Sequence, residues 1–344
     1  MKKWLIGLAG ALFLGFAALA ADVVLNPDHP DKYVVVKGDT LWDISGKFLR
    51  EPWRWPEIWH VNPQIANPHL IFPGDILALV YVDGKPRIDV TRGALSNTVK
   101  LGPAMRSEPV DNAIPAIPLD KINAFLSQSR FVAPGELEGA PYVVAGAKRN
   151  IVSGAGDQIY GRGEFDPTRT VYGIYREGKL YRDPVTEEVL GLEATDIAEA
   201  KVVAQDGDVA TLDAASKKEV ETVRIGDRLL PNSSAALRAE FQPGAPARDV
   251  TGIILDVQGG VTQVGKMDIV MVNLGARDGI DVGNVMAIYK TGETVRDDIA
   301  KGLVKLPDVR AGLLMYFSVY ERMAYALVLK ADQPLKVGDI VDMP

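Results

Sequence analysis

Two strings in the second half of the chain repeat one another. "DQIYGRGEFDPTRTVYGIYREG" begins at Asp157 and "DIVMVNLGARDGIDVGNVMAIYKTG" at Asp268, an offset of 111 residues. Val171 and Val285 lie 114 apart, and Gly226 and Gly338, in "VRIGDRLLP" and "LKVGDIVDMP", lie 112 apart. A near-constant offset across such distant landmarks implies duplication of one domain of roughly 90 residues. Within each copy, alternating runs such as "VYGIYRE" and "KVVAQDGDVATLD" are bounded by Asp-Gly or Gly-Gly pairs, the mark of hairpins. Both copies, residues 140–232 and 250–344, are therefore expected to be all-β, as small barrels or sandwiches, joined through "QPGAPARDV" from Gln242.

The remaining third sets different limits. At 344 residues, with 47% hydrophobic and 24% charged, the chain is a folded protein of several domains. Its net charge of −7, with no Lys or Arg block beyond the first three residues, gives a nucleic-acid partner no electrostatic support. Lys2 and Lys3 precede an uncharged run from Trp4 that ends in "AALAAD", with small residues at Ala18 and Ala20. Residues 1–21 are expected to be a signal peptide cut after Ala20 or one residue later; an uncleaved anchor is the rival reading. Cleavage removes both lysines and takes the net charge from −7 to −9. The chain has no cysteine, which excludes an acylated lipoprotein and leaves each domain to its own core without disulfides. The expectation is an exported protein, periplasmic in a Gram-negative type of envelope.

Residues 33–80 form a compact unit. Tyr33 to Val36 reads as a short strand, Gly38 as the turn out of it, and Asp39 or Thr40 as a helix cap. Leu41, Ile44, Phe48 and Leu49 then recur at helical spacing. Pro56 suits the first turn of a second helix with Ile58, Val61 and Ile65 on its apolar face, and Pro63 ends it near Asn62. After the loop "ANPHLIFPG", Ile76 to Leu79 closes the unit, so the order is strand, helix, helix, strand. Residues 81–139 read as a docked linker with a strand or two, with an Asp-Gly turn in "VDGKPR", Pro-punctuated "NAIPAIPLD" and a short helix over Leu119 to Ser129.

Gly38-Asp39-Thr40-Leu41-Trp42, Ile44, Asn62-Pro63 and Pro73-Gly74-Asp75 fall in the order of a LysM domain, which this unit resembles. "FLREPWRWPEIW" is longer and richer in Trp than the common pattern. The resemblance implies binding of an N-acetylglucosamine-containing glycan such as peptidoglycan in a groove between two loops. Carried over by position, Gly38, Asp39, Thr40 and Leu41 stand on one side, and Asn67, Pro68, His69, Leu70 and Ile71 on the other. Such a groove offers backbone donors and acceptors beside an apolar wall, and no cofactor or metal is expected. The plainer reading is that Asp39 and Thr40 only cap a helix while Leu70 and Ile71 only pack. Trp42 and Trp59 lie beside core positions; Trp53 and Trp55 sit in the loop, open to stacking on a sugar face.

Catalysis has little to work with. His29, His60 and His69 all precede residue 70, so histidine-ligated zinc chemistry or a Ser-His-Asp triad in the β domains lacks its histidine, and cysteine chemistry is excluded. Only a carboxylate pair survives, with Glu136, Glu138, Glu164 and Asp166 as candidates that read more simply as surface charge. "SGAGDQIYGRG" lacks the lysine of a P-loop, and "QDGD" reads as a hairpin tip rather than a calcium loop. The expected protein is therefore non-catalytic, a LysM wall tether followed by two β domains that space it or dock an envelope protein through residues 140–344. The alternatives are an assembly factor of an envelope machine acting through its β domains, and a carboxylate-dependent wall hydrolase.

Overall fold

The structure is a computed structural model that describes residues 23–59, 71–91, 115–117, 122, 129–133, 135–146, 152–153, 156–216, 222–231, 242–258 and 263–344. The expected signal segment lies outside the described residues, as does most of the helix expected over Leu119 to Ser129, of which Ile122 is described as helical while Ser129 instead opens a strand.

The first unit is built from β1 (Lys32–Val34), α1 (Leu41–Phe48), α2 (Trp55–Trp59) and β2 (Ile76–Val82). Strands β1 and β2 pair antiparallel with Tyr33 opposite Leu77. Asp83 and Gly84, both at positive φ, turn the chain into β3 (Lys85–Thr91), which pairs with β2 along its whole length. The sheet thus has three strands, and part of the stretch expected to be linker belongs to this unit. Leu41, Ile44, Phe48, Leu49, Ile58 and Leu77 bury together as its core. Trp55 joins them at 2% exposure, edge-on to Trp59 at 6.1 Å. The expectation that Trp55 stays open for sugar stacking is corrected: it opens α2, whose inward face it fills.

Two closed barrels follow. The first runs through β5 (Tyr142–Gly146), β7 (Gln158–Arg162), β10 (Val209–Ser216), β9 (Val189–Asp206), β8 (Val171–Arg182) and β12 (Arg228–Pro231), and pairing of β9 with β10 closes the ring. β4 (Ser129–Val132) adds outside, against β9, and β6 (Val152–Ser153) pairs with β11 (Val223–Arg224). The short helical turn α3 (Glu136–Gly139) leads into β5. The second barrel is β13 (Gly252–Val257), β15 (Ile269–Val272), β20 (Ala324–Ala331), β19 (Val309–Val319), β16 (Val285–Lys290) and β22 (Ile340–Asp342). Here β14 (Gln263–Val264) pairs with β21 (Leu335–Lys336). Taken in chain order, the two rings and their small accessory pairs correspond strand for strand.

One turn closes all three units. Gly74, Gly226 and Gly338 have φ of 96°, 94° and 92°, where an L-residue costs roughly 1–2 kcal/mol. The aspartate after each is buried and accepts the N–H three residues back: Phe72 to Asp75 at 3.0 Å, Arg224 to Asp227 at 2.8 Å and Lys336 to Asp339 at 2.9 Å. The turn's backbone then straddles a residue at the start of the unit, Val35, Val143 or Ile254, with one bond each way. Gly-Asp is thus the stitch that ties the last part of each unit to its first.

The barrels differ in what surrounds them. In β7 burial alternates along the strand, so one face looks to solvent, whereas every residue of β15 is buried. Val270, Val272, Met286, Tyr316 and Val328 fill the inside of the second barrel. Met271, Val285, Met315, Phe317 and Tyr325 line its outside and are buried too, because Trp42, Trp53, Ile117, Phe131, Tyr181 and Leu190 pack over them. The LysM-like unit, the linker and the first barrel all dock there. The far ends of β8 and β9 form a ribbon that reaches across, where Asp183 accepts from Asn273 at 2.7 Å and Arg277 pairs with Glu188 at 2.9 Å. The corresponding hairpin of the second barrel, β17 (Thr294–Asp297) with β18 (Gly302–Lys305), instead leaves Ile299 95% and Leu303 76% exposed.

Candidate functional site

The turn between β1 and α1 holds four of the sequence candidates. Gly38, at φ 99°, lets the chain reverse before the helix. Asp39 turns its carboxylate back: Oδ2 accepts from Tyr33 Oη and from the N–H of Val36, each at 2.9 Å. Burial first, and then this bond and the charge of Asp39, push the Tyr33 hydroxyl above its ordinary pKa. Thr40 caps α1, accepting the N–H of Asp43 at 3.1 Å and donating to its carboxylate at 2.7 Å. Leu41 and Ile71 are 1% and 0% exposed, so both belong to the core of the unit. Val35 bonds both Gly74 and Asp75, which holds the turn before β2 beside the turn after β1. Asn67, Pro68, His69 and Leu70 lie outside the described residues.

The N-terminal end of α1 is covered by a segment distant in sequence. The N–H of Leu41 donates to the carbonyl of Pro115 at 3.0 Å, and that of Trp42 to the carbonyl of Ala116 at 3.1 Å. Ala116 is buried with the core of the unit, while Ile117 is buried with Trp42 against the second barrel. The linker therefore lies over the helix N-terminus and occupies two of its four orphan donors. Its signal in the sequence is "AIPAI", a short apolar run stiffened by Pro115, which carries no address for the place it docks.

The carboxylate candidates are dispersed. Glu136 pairs with Arg130 at 3.0 Å and accepts the N–H of Ala133, while Glu138 and Glu164 are exposed. Asp166 accepts from Thr168, whose hydroxyl and N–H hold its carboxyl below the usual range. A cleft of about 270 Å³ does bring Glu193 and Asp256 into one lining, between the ribbon and the second barrel. Burial there would raise the Asp256 carboxyl, but hydrogen bonds from Lys179 and Tyr181 win and hold it low. A glycosidase acid needs the opposite, a carboxyl kept protonated near neutral pH. Asp256 serves instead as a charged anchor between the barrels.

A four-element frame of strand, two helices and strand, with a Gly-Asp turn at each end of a shared surface, is the architecture of a small βααβ module. Residues 33–79 are a LysM domain, matching that family's model over their whole length. LysM domains bind peptidoglycan-type glycans, and that class of ligand is what the unit supports. The chain is also similar to the uncharacterized protein YqbP of Bacillus subtilis, 43% identical over 60 residues that make up 14% of this chain and 27% of that relative. The match thus spans about a quarter of the relative's length. Among the described residues no helix is long and apolar enough to cross a membrane.

Proposed function

We propose that this chain is an exported, non-catalytic protein that binds wall glycan through its LysM domain and presents its two barrels, descendants of one duplicated domain, as a rigid docking body. The observation that carries this reading is the pair of Gly-Asp turns at Gly38 and Gly74, held side by side through Val35. A glycan that takes the Leu41 and Trp42 donors displaces residues 115–117, so the linker competes with the ligand. The intact protein is expected to sediment with purified sacculi and to be released by N-acetylglucosamine tetramer. Replacing Ile117 with serine weakens the buried anchor of the competing segment, and tetramer affinity is expected to rise up to about tenfold, equal to roughly 1.4 kcal/mol. Failure to sediment sinks the reading; unchanged affinity on Ile117→Ser means that the sugar uses other donors. Release of soluble fragments from sacculi between about pH 4 and 8 would instead favour hydrolysis by a carboxylate pair.

A second reading, an assembly factor of the envelope, is favoured by one feature. The β17–β18 hairpin holds Ile299 and Leu303 out into solvent, where a monomer gains nothing from them. Photocrosslinking from Ile299 in cells is expected to trap one protein partner on this reading; diffuse labelling would remove its support.

A further inference from the structure

A cleft of about 970 Å³ runs between the LysM domain and the second barrel. Its floor is apolar, from Trp42, Leu49 and Leu329, all buried. Its walls are cationic: Lys47, Arg50 and Arg54 from the LysM side face Lys266, Arg310 and Lys330 from the barrel. Only two carboxylates, Asp43 and Glu51, share the lining, in a chain whose formal net charge is −7.

Not all of that charge is free. Glu57 grips Arg54 through two bonds of 2.7 Å, and Asp332 holds Lys330 at 2.9 Å. The other pairs are loose, with Arg310 3.5 Å from Glu51 and Lys266 3.8 Å from Asp43. Lys47 stands over the Tyr33 ring, 4.8 Å from its centre, and Arg50 has no acidic partner among the described residues. Six cations against four carboxylates leave the cleft with a net +2. Exposed pairs of this kind contribute at most about 1 kcal/mol, so an incoming anion exchanges them at small cost. Low-dielectric walls on both sides concentrate the positive potential between them.

We infer that this cleft binds the carboxylate-bearing peptide stem of the same polymer whose sugar chain lies at the Gly38–Leu41 turn. The inference rests on the wall-binding reading for its choice of anion, and α1 supplies the link between the two sites. Leu41 opens the helix at the groove and Lys47 faces the cleft six residues later, about 9 Å along the axis at 1.5 Å per residue. An extended peptide crosses that distance in roughly three residues. A stem of that length attached to a sugar in the groove therefore covers the axial distance to the cations. The apolar floor suits its alanine methyls, and the cations its carboxylates.

The test uses the full mature chain and four probes in titrations followed by NMR: N-acetylglucosamine tetramer, disaccharide-tetrapeptide, the free acidic tetrapeptide, and inorganic polyphosphate. The disaccharide-tetrapeptide is expected to bind about tenfold tighter than its sugar part at low salt, an advantage that fades as salt screens the cleft. Reversing Arg50→Glu and Lys330→Glu together removes that advantage and leaves tetramer binding as it was; Arg50→Gln with Lys330→Gln gives an intermediate loss. Equal affinity for sugar and sugar-peptide, or an advantage that survives charge reversal, overturns the inference. Polyphosphate outcompeting the tetrapeptide overturns the choice of anion. If the tetramer alone fails to bind, the wall-binding reading fails by itself, and the free tetrapeptide still decides the cleft: charge-dependent binding upholds it, and no binding overturns it.

Discussion

Replacing Asp227 with alanine is expected to destabilise the first barrel by about 3 kcal/mol, while Asp339→Ala, at the same place in the second barrel, costs about 1–2 kcal/mol. Both aspartates are buried, follow a glycine at positive φ and accept one backbone N–H at the closing turn. The difference is Arg176. Its guanidinium reaches Asp227 through Nε and Nη2, each at 2.8 Å, and is itself 30% exposed. Alanine at 227 takes that carboxylate from the guanidinium, which keeps its bond to the Thr222 carbonyl at 3.0 Å. Alanine at 339 strands only the Lys336 N–H. Chemical denaturation followed separately in each barrel, through a tryptophan introduced on its surface, checks the contrast. Equal losses at the two sites would mean that the ion pair adds nothing to the turn.

Much of this architecture was legible because its signals are local. A Gly-Asp turn needs positive φ and a short acceptor, and both requirements are written in two adjacent residues, so Gly226 and Gly338 mark the equivalent turns of the two barrels. The helical spacing of Leu41, Ile44 and Phe48 likewise matches α1 and its buried face. What was missed depends on contacts between units. "DIVMV" and "LLMYF" are runs of apolar residues with no alternation, the pattern of strands covered on both faces, yet nothing local says what covers them. Trp42 and Trp53 turned out to be part of that cover, as did Ile117. The same blindness hid the linker over α1: Pro115 and Leu41 are far apart in sequence, and only the folded chain brings carbonyl and N–H together. Of the sugar-groove candidates, Thr40 as the cap of α1 was foreseeable from residue type, because its side chain can satisfy a nearby N–H, whereas Asp39 turns back to the N–H of Val36 instead.

Deleting residues 33–80 is expected to turn the protein into a self-associating species rather than a clean non-binder. The LysM domain is docked, not suspended. Trp42 packs with Met271, Val285, Met315 and Leu329 on the outer face of the second barrel, and Trp53 lies against the same cluster. Ion pairs from Lys266 to Asp43 and from Arg310 to Glu51 span the junction. Removing the domain uncovers part of an apolar face that Phe131, Tyr181 and Leu190 cover only elsewhere. Exposed apolar surface of that extent drives association. Size-exclusion chromatography with a hydrophobic dye reads the effect, and Trp42→Ala in the full chain isolates its centre: losing a buried indole is expected to cost about 3–5 kcal/mol. A monomeric, dye-negative deletion variant, together with a Trp42→Ala protein as stable as the parent, would show that in solution the LysM domain rides free of the barrel. The shared cleft would then not persist, and the wall tether would be a flexible one.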